Sequence, residues 1–137
     1  MKKLGIFYLC AVVLFASACS VFPSKNTDAG LPSVTTTAVN VTISYAEDNS
    51  STVPVIVDKG ASAFDALQKL TTDNSMPLDF NQSDFGVMIN GINGVMSDNV
   101  EGKYWLWYVN GSMGSTACDQ YVVEEGDAIE FEYGAGF

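Results

Sequence analysis

The strongest constraint on the fold of this chain is a two-residue hydrophobic alternation that recurs along its last hundred residues. Apolar and polar side chains alternate in the segments 39–45 and 129–133, and valines recur at every second position in 53–57. Successive side chains of a β-strand point to opposite faces of the sheet, so this period predicts strands with one buried face. The chain is therefore expected to bury most of its core between strands.

One segment departs from the alternation and carries the signals of a helix. Ser62 is a candidate N-cap, and Asp65 stands three residues later in the position of a capping box. The apolar residues that follow recur at helical spacing and share one face. The sequence predicts a single short helix over about 63–72.

The segments after this helix are predicted to be loops, tight turns and further short strands. We expect 74–84 to be a polar loop, and the dipeptides Asn90-Gly91 and Asn93-Gly94 to be tight turns. Residues 121–123 are expected to form a short strand, followed by a turn at 124–127. Four apolar residues are expected to plug an edge of the core, namely Met76, Leu78, Phe80 and Phe85. The prediction is an α+β fold of six or seven strands around one helix.

The N-terminal residues have the pattern of an exported bacterial lipoprotein. Lys2 and Lys3 precede an uncharged run of 15 residues, 4–18, which is short for a bilayer span and typical of a signal peptide. The run ends in Ala-Ser-Ala-Cys, which resembles a lipobox, with Ala16 where leucine is commonest. We expect cleavage before Cys19 and lipidation of Cys19. The alternative is an ordinary signal peptide cut at an Ala-x-Ala site, with Cys19 unmodified.

This pattern divides the chain into three parts. Residues 1–18 are the signal peptide, 19–37 a lipidated flexible tether rich in Ser, Thr, Pro, Asn and Gly, and 38–137 the folded domain. Acyl chains on Cys19 would hold the protein at the extracytoplasmic face of the cell membrane. Cys118 would then be the only free thiol of the domain, and we expect it to be a small buried residue.

Charge and composition exclude several functions. Loss of Lys2 and Lys3 would leave four lysines against 16 acidic residues, a formal charge of 4 − 16 = −12. Phosphate backbones repel such a chain, so no nucleic-acid partner is expected. The chain has no histidine, which rules out a Ser-His or Cys-His nucleophile pair and a histidine metal ligand. We therefore expect no enzyme activity, no catalytic residues, no metal site and no built-in cofactor.

An aromatic strand is the candidate site. The segment 103–109 places Tyr104, Leu106 and Tyr108 on one face, and Trp105 and Trp107 on the other. The turn Asn110-Gly111 follows it directly. Burial of the strand between two layers would explain this pattern without a ligand. A half-covered face would instead offer aromatic rings and nearby amides to a ligand.

The order of four segments resembles the transcobalamin-like C-terminal domain family. These segments are Asp58–Leu67 (DKGASAFDAL), Ile89–Ile92 (INGI), Tyr104–Gly111 (YWLWYVNG) and Tyr121–Tyr133 (YVVEEGDAIEFEY). The resemblance covers roughly residues 38–134. It implies two small antiparallel sheets with one helix packed between them.

The resemblance also implies a ligand. In the cobalamin carriers of this family, the domain covers one face of the corrin, which implies that this chain binds cobalamin or a related corrinoid. For a surface-anchored protein, we expect a role in uptake, with a transporter as partner. The alternative is a surface protein- or glycan-interaction module with no corrinoid ligand. Carried over by position, the ligand-binding residues are Tyr104, Trp105, Leu106, Trp107, Asn110 and Gly111.

Overall fold

Eight strands and one helix make up the part of the chain that the structure, a computed structural model, describes: residues 35–46 and 48–136. The elements are β1 (Thr36–Ala46), β2 (Asn49–Asp58), α1 (Ala63–Asp73), β3 (Leu78–Ser83), β4 (Gly86–Ile92), β5 (Val95–Met96), β6 (Lys103–Val109), β7 (Ser112–Met113) and β8 (Ala128–Ala135). The predicted signal peptide, Cys19 and most of the predicted tether lie outside the described residues.

The strands form two sheets. The larger has the order β2-β1-β8-β6-β7 and the smaller the order β3-β4-β5. The predicted α+β class, with two sheets and one helix, is confirmed. Eight strands replace the predicted six or seven, and β1 runs parallel to β8 within an otherwise antiparallel arrangement.

The predicted alternation places the core on one face of the larger sheet. Val41 pairs with Ile129 and Ile43 with Phe131 across β1 and β8, and all four side chains are buried. The polar residues between them, such as Glu130, point to the opposite face. The period-2 pattern therefore identified the buried face of this sheet correctly.

The helix begins and ends close to its predicted limits, and it packs between the sheets. The Ser62 hydroxyl accepts a hydrogen bond from the Asp65 N–H, and the Asp65 carboxylate accepts one from the Ser62 N–H at 2.7 Å. This confirms the capping box. The apolar face of α1 packs on β1 and β2, while the Phe64 ring meets Phe80 of β3 with centroids 4.8 Å apart.

The predictions for the loop 74–84, for Phe85 and for the strand 121–123 are wrong. The expected loop 74–84 contains β3, which pairs only with β4 and exposes five of its six residues, so its sequence lacks the apolar alternation of a half-buried strand. Phe85 does not plug the core, because its side chain is 89% exposed. The expected strand 121–123 is reduced to a single bridge between Val122 and Ser62.

The two Asn-Gly dipeptides have different outcomes. Asn93-Gly94 forms the predicted turn, with φ angles of 53° and 82°. Gly91 instead lies inside β4, opposite Met96 of β5. The Met96 Sδ occupies the space that a Cβ on Gly91 would need. Gly91 therefore serves a close side-chain approach, and the predicted turn at Asn90-Gly91 is wrong.

Cys118 is buried, as the sequence predicted. Burial raises the pKa of its thiol to about 12. The thiol is therefore protonated at neutral pH, and a protonated thiol is a poor nucleophile.

The two tryptophans of β6 share one face but differ in burial, which yields a stability prediction. Trp105 is 8% exposed and packs between Tyr45 and Tyr133, whereas Trp107 is only half-buried. Trp105→Ala should lower the free energy of unfolding by about 3–5 kcal/mol, and Trp107→Ala by clearly less, because less packing is lost. Urea denaturation of both variants measures this difference. An equal or larger loss for Trp107→Ala would contradict it.

Candidate ligand-binding groove

A groove of about 550 Å³ lies where β6 of the larger sheet faces the smaller sheet. We call it the β6 groove. Its apolar lining consists of Met88, Ile89, Met96, Tyr104, Trp105 and Leu106. Its polar lining consists of Asp79, Asn81, Asn90, Ser97 and Asn99. An apolar floor with a few polar groups around it is typical of small-molecule sites.

Three of the apolar side chains that line the β6 groove are exposed to solvent. Met88 is 66% exposed, Met96 50% and Tyr104 37%. A bound molecule with an apolar surface would remove these side chains from water, which is favourable. Methionine side chains also adapt to irregular ligand shapes, because they are unbranched and flexible.

The polar side of the groove is rich in amides and carries one carboxylate. The Asn90 Nδ2 donates a hydrogen bond to the Asp79 Oδ1 at 2.8 Å, which joins β3 to β4. No lysine is among the described residues that line the groove. Lys103 directly precedes Tyr104, but its Nζ donates to the Glu101 carboxylate at 2.8 Å.

The backbone edge of β6 also faces the groove. Three consecutive residues, 104–106, line it, although their side chains alternate between the two faces of the sheet. The groove therefore runs along the edge of β6 that points away from β8.

Hydrogen bonds on either side show which groups point to this edge. The N–H and C=O of Lys103 both bond to Asp98, and the Trp107 C=O accepts from the Gly114 N–H at 3.0 Å. Backbone groups two residues apart along a strand point to the same edge, so the N–H and C=O of Trp105 point into the groove. No strand residue pairs with Trp105 on this edge in the described part of the chain.

The structure divides the six predicted ligand-binding residues into two groups of three. Tyr104, Trp105 and Leu106 line the β6 groove. The other three, Trp107, Asn110 and Gly111, lie outside it. The binding role of all six stays a prediction.

Trp107 and Asn110 have clear structural partners. The Trp107 indole N–H donates to the Thr116 carbonyl at 3.0 Å. The Asn110 amide donates to Asp127 and accepts from the Ala128 N–H, which joins the turn between β6 and β7 to the start of β8. Gly111 completes that turn with a φ of 77°.

Asp127 is the acceptor at the centre of this junction. Burial by itself would raise the pKa of its carboxyl group, but hydrogen bonds from the Glu124 N–H, Asn110 and Tyr121 outweigh burial and lower it. The carboxylate therefore stays ionised at neutral pH and holds three segments of chain together.

The sequence interpretation missed the wall of the groove that β3, β4 and β5 provide. Met88 carried a usable signal, because it stands between the buried Val87 and Ile89 and the period-2 rule makes it exposed. Asp79 carried no such signal, because its segment was expected to be a loop.

No group of three or more Cys, Asp and Glu side chains in residues 35–46 and 48–136 is placed to hold a metal ion. No helix in the same ranges is long and apolar enough to cross a membrane.

Comparison with known proteins identifies the family. The chain matches the family described as "Domain of unknown function (DUF4430)" over residues 60–135, which is more than half of its length. The chain belongs to this family. No curated protein matches the chain.

Solved structures share the fold. Haptocorrin in complex with Cbi is 20% identical with a TM-score of 0.69, and the match covers 76% of this chain and 26% of the haptocorrin chain. A candidate metal-binding protein from Ruminococcus gnavus is 19% identical with a TM-score of 0.60, and the match covers 74% of this chain and 99% of that one. The domain therefore shares the fold of the matched part of haptocorrin, and the chain spans about a quarter of haptocorrin.

The open edge of β6 yields a prediction for hydrogen exchange. The N–H groups of Tyr104 and Leu106 point toward β8, whereas the Trp105 N–H points into the groove. The Trp105 amide should therefore exchange with solvent roughly tenfold faster or more than its two neighbours, because no strand partner protects it. Amide exchange followed by NMR tests this. Equal protection of the three amides would contradict the assigned edge.

Proposed function

We propose that this protein is a membrane-anchored extracytoplasmic lipoprotein that binds a small ligand, cobalamin or a related corrinoid, in the β6 groove. In this proposal it is a binding protein with no enzyme activity, and it delivers its ligand to an uptake transporter. The groove carries the proposal, because it combines an exposed apolar floor, amide side chains and an open backbone edge.

The fold comparison supports the choice of ligand. Haptocorrin, which shares this fold, was solved in complex with Cbi. A corrinoid has a broad apolar ring face and amide side chains around it. The ring face would pack on Met88, Met96 and Tyr104, and the amides would hydrogen-bond to Asn90, Asn99 and the edge of β6.

The β6 groove is open to solvent, with Met88 66% and Met96 50% exposed, so it would bury one face of the ligand. Affinity depends on how many groups are desolvated and ordered, and a half-buried ligand gains fewer such contacts. We therefore expect weaker binding than in a carrier that encloses the ligand. A weakly held ligand also suits transfer to a transporter.

The lipid anchor is proposed on the sequence pattern that ends at Cys19. Cells that express the wild-type chain should incorporate labelled palmitate into it, whereas the Cys19→Ser variant should stay unlabelled, because the thioether to diacylglycerol needs the cysteine sulfur. Gel fluorography of the two proteins measures this. Equal labelling of both would refute lipidation at Cys19.

Calorimetry tests the ligand. Cobalamin titrated into micromolar protein should bind. Tyr104→Ala should weaken the affinity about fivefold, because an aromatic contact contributes about 1 kcal/mol to the binding free energy. Tyr108→Ala is the matched control, because Tyr108 shares the face of Tyr104 on β6 but lies outside the groove. Binding should not change between about pH 6 and 8, since the chain has no histidine.

The absence of heat and of a spectral change at millimolar cobalamin would refute the corrinoid proposal. The function would then be the alternative, a protein- or glycan-interaction module. The exposed Phe85, at the turn between β3 and β4, would be its first candidate contact.

A further inference from the structure

We propose that the β6 groove is a site for an uncharged carboxamide, which hydrogen-bonds to the backbone N–H and C=O of Trp105, and that the groove rejects carboxylates. This inference rests on the proposed ligand-binding function of the groove and defines the chemical class of the ligand. It follows from the open strand edge and from the charges around it.

The backbone of Trp105 offers a matched pair of hydrogen-bonding groups to the groove. Trp105 directs one donor and one acceptor into the groove from the same residue, as a strand does toward an antiparallel neighbour. A carboxamide carries an N–H donor and a carbonyl acceptor in one planar group. It would therefore replace the missing strand residue and satisfy both backbone groups. Backbone groups left unpaired beside apolar side chains such as Met96 are costly, so this pairing is favourable.

The open edge of β6 is short. Asp98 pairs with Lys103 at one end, and Gly114 bonds to Trp107 at the other. Lys103 and Trp107 are four residue steps apart, which in an extended strand is about 13 Å. An extended peptide that added itself as a new strand would meet Asp98 and Gly114 at either end. The gap suits a compact group and disfavours strand addition.

The charges around the groove disfavour an anionic ligand. A carboxylate has no N–H, so it would leave the Trp105 carbonyl unpaired and place an anion beside it. It would also lie in the same groove as the Asp79 carboxylate, which Asn90 holds in place. No lysine among the described lining residues offsets this repulsion, and the chain carries a formal charge of −10. The groove therefore discriminates between an amide and the corresponding acid.

The test compares benzamide with benzoate, which have the same flat ring and differ only in the polar group. Each is titrated to millimolar concentration into the full chain labelled with ¹⁵N. Benzamide should shift the Trp105 amide resonance with saturation, and benzoate should bind roughly tenfold more weakly or worse. Equal shifts with both compounds would overturn the inference, as would the absence of any shift at Trp105.

Charge reversal supplies a second readout. Asp79→Lys places a cation in the groove, so the affinity for benzoate should rise about fivefold relative to wild type. This rise corresponds to about 1 kcal/mol of binding free energy. Asp84→Lys is the matched control, because it makes the same change of charge at an exposed turn outside the groove. An equal gain in both variants would mean that net charge alone acts, which would overturn the assigned site.

Cobalamin in the same NMR experiment separates this inference from the proposed function. Discrimination of benzamide from benzoate at Trp105 without cobalamin binding would refute the corrinoid and keep the carboxamide site. Cobalamin binding that leaves the Trp105 amide resonance unmoved would keep the corrinoid and refute the carboxamide site.

Discussion

The indole of Trp105 joins the two sheets, and the groove depends on that junction. Its N–H donates to the Val95 carbonyl of β5 at 2.9 Å, while its ring packs between Tyr45 and Tyr133 of the larger sheet. A buried indole needs a partner for its N–H, and here the partner belongs to the other sheet. The β4–β5 hairpin is thereby held opposite β6 at the distance that leaves a groove.

The side chain and the backbone of Trp105 therefore have different roles. The side chain is part of the core, and its removal is expected to destabilise the fold. The backbone of the same residue faces the groove, where a ligand can reach it without disturbing the core. In the proposed site, this division would make the strand edge a rigid binding element, because the hydrogen-bonding groups are held by the sheet and would lose little freedom on binding.

The surroundings of the groove explain why it stays open. Asp98 accepts hydrogen bonds from the N–H groups of Val100 and Glu101, and this tight turn ends the pairing along the edge of β6 at Lys103. At the other end, the Asn110-Gly111 turn starts β7, whose two residues reach only Tyr108 and Val109. Both turns are held by carboxylates that accept N–H groups, at Asp98 and at Asp127. The gap between them is a consequence of these two local structures.

Local signals in the sequence determined much of the fold. The alternation around Val41 and Ile129 identified strands and their buried face, because a one-residue shift would expose every apolar side chain. Ser62 and Asp65 determined where α1 begins, since a capping box needs only neighbouring residues. The aromatic segment 103–109 was recognised as a strand, because strong β-formers recur there without interruption. Tyr104, Trp105 and Leu106 were named as candidates for the site by position, from the family resemblance.

Contacts distant in sequence decided the rest. The Asn90-Gly91 dipeptide favours a turn, yet Gly91 lies in β4 because the Met96 side chain needs the space above it. Trp105 and Trp107 are equivalent by periodicity. Their burial differs because the Trp105 ring packs between Tyr45 and Tyr133 and its N–H bonds to Val95 of the smaller sheet. The groove itself joins Asp79 of β3, Met96 of β5 and Trp105 of β6. No local pattern encodes that meeting, because it depends on how one sheet packs against the other.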